Sequence, residues 1–385
     1  MQDRNENETG FDRASPPLPV KEVPGVREAY RALTHPPGAR FIEVLDQRRL
    51  PHETVTLRLS DARAAADAIR NMTVRGAPLI GAVAAFGMAL ALDADASDSA
   101  LADAHAMLER TRPTAVNLRW ALDRVKARVA SLALNGRADA AWHEADAISA
   151  EDIAINAAIG AHGLSMLREL AARVERPLNV MTHCNAGALA TCGFGTATAP
   201  LFLAHAQGLP LHVWVSETRP RMQGASLTAW ELAQHGIAHT LFVDGASGLL
   251  MRRGDVDLVI VGADRVAANG DVCNKIGTYD KALAARDNDV PFCVALPFPT
   301  IDWQLHSGDA IPIESRGDDE VLRIPGRDDA GMRTRVSIAT AGTRAVNFAF
   351  DVTPARLVTR YLTERGVAPS AEALRGLYAM QGRGS

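Results

Sequence analysis

Two residues in this sequence stand where apolar runs give way to polar ones, and both could do chemistry. Cys184 follows the run 178–181 within Thr182-His183-Cys184-Asn185-Ala186-Gly187, and Asp264 follows the run 258–261 within Gly262-Ala263-Asp264-Arg265. A thiol at a sheet mouth near a helix N-terminus feels a positive potential that lowers its pKa. A carboxyl at an apolar mouth can be held protonated and act as a general acid. Each residue also has a plain structural explanation. Cys184 would serve as a buried inert cysteine, and Asp264 as a helix cap or a partner for Arg265.

Other segments offer anion-binding chemistry. In Arg75-Gly76-Ala77-Pro78 the proline suits a first helical turn, and the glycine admits a ligand close to the backbone. The helix start supplies free N–H groups, and Arg75 supplies a bidentate fork for phosphate. Arg112-Pro113-Thr114 repeats that logic. A tight turn or a capped helix with a solvated arginine explains either motif taken alone. Asn274-Lys275 follows Asp264 and could bind sugar hydroxyls or phosphate, where a lone lysine is otherwise solvated; Glu217, Arg219 and Gln223 after the run 211–215 are further polar candidates, equally explained by a charged turn. Gly193-Phe194-Gly195 begins a dinucleotide fingerprint, but Thr198 stands where its third glycine belongs, and the motif lies too far from the strand end. No His/Cys set has zinc-ligand spacing, and H-E-x-x-H, Walker A and G-x-S-x-G motifs are absent. No metal and no cofactor is therefore called for.

The elements that must position these residues differ between the two halves of the chain. Residues 41–50 and 54–59 read as strands, with Val55, Leu57 and Leu59 on one face. Ser60 or Asp61 would cap an alanine-rich helix ending near Met72. A second helix follows Pro78, and a third starts near Pro113 with Leu118, Leu122, Val125 and Val129 on one side. The polar, alanine-rich stretch 135–149 reads as a connection, and 151–174 as a joining helix. Beyond it, apolar runs at 178–181, 211–215, 240–243, 258–261 and 292–296 recur at roughly the ~30-residue spacing of β-α-β units. Such runs suit a parallel sheet covered on both faces, with ligands bound outside its carboxyl edge. The expected class is α/β: a small N-terminal α+β domain over 20–150, a connecting helix over 151–175 and a Rossmann-like domain over 176–385. Residues 1–19 are expected to form a flexible tail.

Composition narrows the function. The chain has 385 residues with 47% hydrophobic and 22% charged side chains, which fits a globular enzyme. A formal net charge of −4 gives no overall attraction for nucleic acid, and basic residues are not interleaved with aromatics, so an anionic substrate needs a local basic site. The four cysteines form no C-x-x-C pair and no disulfide framework, which points to a reducing cytoplasm. Residues 1–19 lack the apolar stretch of a secretory signal. The apolar run 77–92, broken by Pro78, Gly81 and Gly87, is expected to be a buried helix rather than a membrane span.

Six ordered blocks together resemble the methylthioribose-1-phosphate isomerases, relatives of the initiation-factor-2B alpha-type subunits. They are Val74-Arg75-Gly76-Ala77-Pro78, Arg112-Pro113-Thr114-Ala115-Val116-Asn117-Leu118, Thr182-His183-Cys184-Asn185-Ala186-Gly187, Glu217-Thr218-Arg219-Pro220-Arg221-Met222-Gln223-Gly224, Gly262-Ala263-Asp264-Arg265 running to Asn274-Lys275-Ile276-Gly277-Thr278, and Ile311-Pro312-Ile313-Glu314. The resemblance spans about residues 25–366. It implies a cytoplasmic homodimer that isomerises a sugar phosphate in methionine salvage without a cofactor. It implies catalysis by Cys184 and Asp264, and substrate contacts at Arg75, Gly76, Ala77, Arg112, Gln223, Asn274 and Lys275. The pattern also leads one to expect an acidic residue in place of Ser216, glycine in place of Cys192 and an acidic residue in place of Ser315. Family likeness leaves the 5-substituent of the sugar open among methylthio, deoxy and phospho. A non-enzymatic regulatory subunit and a nicotinamide oxidoreductase are the competing readings.

Overall fold

The computed structural model describes residues 30–112 and 115–379. The tail expected over 1–19, together with Pro113 and Thr114 of the second arginine motif, lies outside the described residues.

The N-terminal region starts with a small antiparallel sheet in the order β1 (Leu33–Thr34), β2 (Ile42–Leu45), β3 (Thr56–Leu59). The second strand is shorter than the expected 41–50. Its chain turns after Leu45, where the Arg49 N–H bonds back to the Asp46 carbonyl at 3.0 Å. Asp61 caps α1 (Ala62–Arg70) by accepting from the Ala64 N–H at 2.8 Å. Helix α2 (Ala77–Ala94) carries Pro78 in its first turn and is buried almost throughout. By length and composition α2 could cross a membrane. Here it is the centre of a bundle, wrapped by α1, α3 (Asp98–Glu109), α4 (Val116–Val129) and α5 (Leu134–Ala171).

Three of the helical expectations need correcting. Helix α3 was not expected; it buries only Leu101, Ala104 and Leu108, too sparse a stripe to read against its alanines. Helix α4 starts at Val116 rather than near Pro113, although Leu118, Leu122, Val125 and Val129 are buried as its periodicity predicts. The stretch 135–149 is not a connection. It is the first part of α5, a 38-residue helix about 57 Å long at 1.5 Å per residue. This first part seals the N-terminal core with Ala141, Trp142, Ala145 and Ile148, and the last part seals the second core with Ile159, Leu164 and Leu167. Arg137 is buried in α5 because three carbonyls, of Leu132, Ala96 and Ala130, and the Asp98 carboxylate satisfy its guanidinium.

The C-terminal region is a seven-stranded sheet interleaved with helices: β4 (Leu178–Thr182), α6 (Ala199–Ala206), β5 (Leu211–Ser216), α7 (Ala229–Gln234), β6 (His239–Phe242), α8 (Ser247–Arg252) and β7 (Leu258–Val261). Two short strands follow, β8 (Arg265–Ala267) and β9 (Val272–Lys275), then α9 (Thr278–Asp287), β10 (Phe292–Ala295) and β11 (Ile301–Asp302). An exposed hairpin, β12 (Arg323–Arg327) with β13 (Arg333–Ser337), precedes β14 (Phe350–Thr353), β15 (Arg360–Thr363) and β16 (Gly366–Ala368). The large sheet runs β16-β15-β10-β7-β4-β5-β6, parallel except for the β15–β16 pair. All residues of β7 and β10 are buried, because helices cover both faces. A second sheet, β11-β8-β9-β14, sits beyond the carboxyl edge of the first.

Candidate active site

The sheet topology brings Cys184 and Asp264 together. The chain steps outward from β4 to β5 to β6, then returns to place β7 on the other side of β4. That reversal opens a crevice at the carboxyl ends of β4 and β7, the place where open α/β sheets bind ligands. Cys184 lies just past β4 and Asp264 just past β7. Cys184 has φ of +62°, a conformation that L-residues rarely adopt. Two hydroxyls hold it there. Its N–H donates to Thr218 Oγ1 at 2.9 Å, and its carbonyl accepts from Thr228 Oγ1 at 2.6 Å. The Asp264 N–H donates to the Cys273 carbonyl at 2.9 Å, which aligns the β8–β9 ribbon beneath it.

The N-terminal region supplies the opposite wall. Gly76 has φ of +98°, and a Cβ there would sit 2.5 Å from the Cα of Ala190, so only glycine fits this junction. No side chain caps α2, which leaves its first-turn N–H groups to face a ligand. Arg75 donates from Nη2 to the Asn185 carbonyl at 2.8 Å and from Nη1 to Asn185 Oδ1. Arg112 donates from Nη2 to Glu314 Oε2 at 3.1 Å, while its buried Nε has no hydrogen-bond partner among the described residues. Lys275 donates to the Ala349 carbonyl at 3.0 Å, with its ammonium 4.5 Å from the centre of the Phe350 ring. Burial pulls the Lys275 ammonium below its ordinary pKa, and Arg112 and Arg75 push the same way against the opposing pull of Cys184 and Asp264. Gln223 is buried with no partner for its Oε1 among the described residues, and Asn274 donates to Thr278 Oγ1 at 3.0 Å.

Arg75, Gly76, Ala77, Arg112, Cys184, Gln223, Asp264, Asn274 and Lys275 all line one cavity. Glu217 and Arg219 are not among its walls; the Arg219 guanidinium turns away to the Val321 carbonyl at 2.8 Å. Asn185 and Phe350 complete the cavity, and sequence reasoning gave neither a role. Asn185 adjoins Cys184 and could have been suspected; Phe350 arrives on β14 from 75 residues beyond Lys275 with no local signal. A second chamber continues past Gly76, Arg112 and Asp264. Ile80, Ala115, Cys273, Ile311, Pro312 and Phe350 make it largely apolar.

The initiation factor 2 subunit family matches residues 73–370, which include all nine of these positions. The chain belongs to the initiation factor 2 subunit family. Within that family it is 58% identical over 343 residues to the methylthioribose-1-phosphate isomerase of Rhodospirillum rubrum, covering 87% of this chain and 88% of the relative. The solved 5-methylthioribose 1-phosphate isomerase of Pyrococcus horikoshii OT3 superposes with a TM-score of 0.80 at 37% identity, covering 94% of this chain and all of that one. The delta subunit of translation initiation factor eIF-2B from A. fulgidus gives 0.72 at 35% identity, covering 88% of this chain and 96% of that one.

The three departures from the expected initiation factor 2 subunit pattern have local explanations. Ser216 Oγ donates to Asp244, whose carboxylate also takes the N–H groups of Thr218 at 2.9 Å and Arg219 at 2.7 Å. The acidic function at that strand end thus sits on Asp244, and a second carboxylate at 216 would face it. The Cys192 N–H donates to Asp152 Oδ2 at 2.7 Å, and its thiol fills the N-terminal core. Ser315 pairs with Phe348 as an isolated bridge. Gly195 of the partial dinucleotide fingerprint is also accounted for: a Cβ there, at φ +89°, would meet Gly187 Cα at 2.4 Å. These glycines let two loop strands touch.

Proposed function

We propose that this chain is an aldose–ketose isomerase converting 5-methylthioribose 1-phosphate to 5-methylthioribulose 1-phosphate, with Cys184 and Asp264 as its catalytic pair. The observation that carries this reading is the convergence of nine residues from distant segments on one cavity at the sheet's switch point. Two buried, unpartnered groups in that cavity support it further. Arg112 Nε needs an acceptor and Gln223 Oε1 needs a donor, as a phosphate oxygen and a sugar hydroxyl would provide.

The phosphate on the anomeric carbon prevents spontaneous opening to a free aldehyde. Asp264 gives its proton to the ring oxygen as the C1–O bond breaks. The hydrogen on C2 then moves to C1, and the C2 hydroxyl returns a proton to Asp264 as it becomes the ketone. In one route Cys184, as thiolate, takes the C2 hydrogen as a proton and delivers it to C1. In the other it moves directly as hydride, and Cys184 shapes the surrounding field. Arg75, Arg112, Lys275 and the start of α2 hold the phosphate and offset its charge. The apolar second chamber suits a methylthio group. Its bordering cations, Arg112 and Arg265, already face Glu314 at 3.1 Å and Asp302 at 3.8 Å, leaving little for a second phosphate.

A panel of 5-methylthio, 5-deoxy and 5-phospho pentose 1-phosphates tests the reading. The methylthio sugar should have the highest kcat/KM and the bisphosphate the lowest; turnover of none of them overturns it. A regulatory subunit would need neither Cys184 nor Asp264, and would be revealed by that failure together with a stable protein partner. We further assign the enzyme to the cytoplasm as a homodimer. Its buried free thiols support a reducing compartment, and exposed Leu241, Val243 and Leu249 around the edge strand β6 support self-association. Light scattering of the purified protein gives the mass that decides the oligomeric state.

A further inference from the structure

We propose that Glu231 is a positioning residue for the phosphate-binding arginine: it fixes the amide of Asn185, which in turn aims Arg75. The inference rests on the reading of Arg75 as a phosphate ligand.

Glu231 lies in the first turn of α7, fully buried, and touches neither the cavity nor any solvent. Two N–H donors converge on its carboxyl. The Leu189 N–H reaches Oε1 at 2.5 Å, and Asn185 Nδ2 reaches Oε2 at 3.0 Å. Asn185 Nδ2 also lies 3.2 Å from Thr228 Oγ1, whose proton is committed to the Cys184 carbonyl. With Glu231 ionised, both partners of Asn185 Nδ2 are acceptors, and the amide can take only one orientation. A flip would set its oxygen against the Glu231 oxygen and its NH2 against the Arg75 guanidinium. Held as it is, Oδ1 accepts from Arg75 Nη1 while the Asn185 carbonyl accepts from Nη2. Two points of attachment leave the fork little freedom to swing. The packing has no slack on the other side, since a Cβ on Gly187 would lie 1.8 Å from Glu231 Oε2.

The logic of donors and acceptors gives a specific test. In Glu231→Gln one acceptor becomes a donor. With the Leu189 N–H still bound to its oxygen, the new NH2 faces the Asn185 NH2 and favours the flipped amide. Adding Asn185→Asp restores complementarity, because one carboxylate then accepts both from the new NH2 at position 231 and from Arg75. Sugar-phosphate KM should rise about tenfold in E231Q, the scale of one hydrogen bond to a charged group, with kcat changed less. The E231Q/N185D pair should recover a large part of that rise. Arg75→Ala is the control. If R75A leaves KM unchanged, the phosphate reading fails and takes this proposal with it. If R75A raises KM but E231Q does not, only the positioning role fails. A folded double variant no better than E231Q also overturns it, because a purely structural glutamate would not be rescued by moving the carboxylate. Should E231Q not fold, the double variant decides alone: KM near wild type supports the proposal, and KM near that of R75A overturns it.

Discussion

Cys184 and Asp264 leave the carboxyl ends of two hydrogen-bonded parallel strands, registered by the pairing of Met181 with Val259, and line the same cavity. Their neighbourhood is set by sheet topology and not by any contact between their side chains. Either residue can therefore be changed without disturbing the strand that carries the other.

Cys184→Ser should lower kcat by about a hundredfold or more, the scale of a lost acid–base group, with KM changed only a few-fold. Steady-state kinetics check this. Running the wild-type reaction in deuterated water then separates the two routes. Solvent deuterium at C1 marks the thiolate relay, and its absence argues against a relay that exchanges freely with solvent.

Gln223→Leu should separate stability from activity. Its Oε1 is buried without a partner, so the folded protein carries an unsatisfied acceptor. Removing it should leave stability equal or raise it by about 1 kcal/mol, while kcat/KM falls about tenfold as a sugar hydroxyl loses its acceptor. Thermal melting and kinetics on one preparation check both halves. Lost stability with unchanged kinetics would contradict the assignment.

Glu231 makes folding stability depend on pH. Burial pushes its carboxyl from 4.5 up to about 7, against the Leu189 N–H, the Asn185 amide, Arg75 and the Tyr30 hydroxyl. Between these values the folded chain keeps a proton that the unfolded chain releases. Stability at this site therefore falls as pH rises from about 4.5 to about 7, by about 3 kcal/mol at most. Buried His183 acts in the opposite sense: its imidazole is pulled down to about 3, so below about 6.5 the unfolded chain gains a proton that the folded chain refuses. The wild-type profile mixes these two with Asp152 and Asp351, whose carboxyls burial also pushes up to about 6. The difference between Glu231→Gln and wild type isolates the first, and the variant should gain on wild type with rising pH across that window. A flat difference in melting temperature would contradict it.

Much of this was legible in the sequence, for a physical reason. Strands buried on both faces are continuous apolar runs, and the five expected runs fall within one residue of β4, β5, β6, β7 and β10. The polar residues after those runs had to meet at the carboxyl edge, which is why Cys184 and Asp264 could be named. The helix over 135–149 was not legible, because apart from Trp142 and Ile148 its buried face is built from alanines and from Arg137, whose burial depends on the carbonyls of Ala96 and Leu132. Nor was the Arg75–Asn185–Glu231 chain legible. Its members are 110 and 46 residues apart, and their alignment exists only after β4 and α7 pack.

Binding and turnover of 5-methylthioribose 1-phosphate by Asp264→Asn is the most direct test of the central claim. Calorimetric binding should stay within a few-fold of wild type, because the phosphate anchors are untouched, and kcat should fall by about a thousandfold for want of the ring-opening proton. A variant that isomerises the sugar at near the wild-type rate would contradict it.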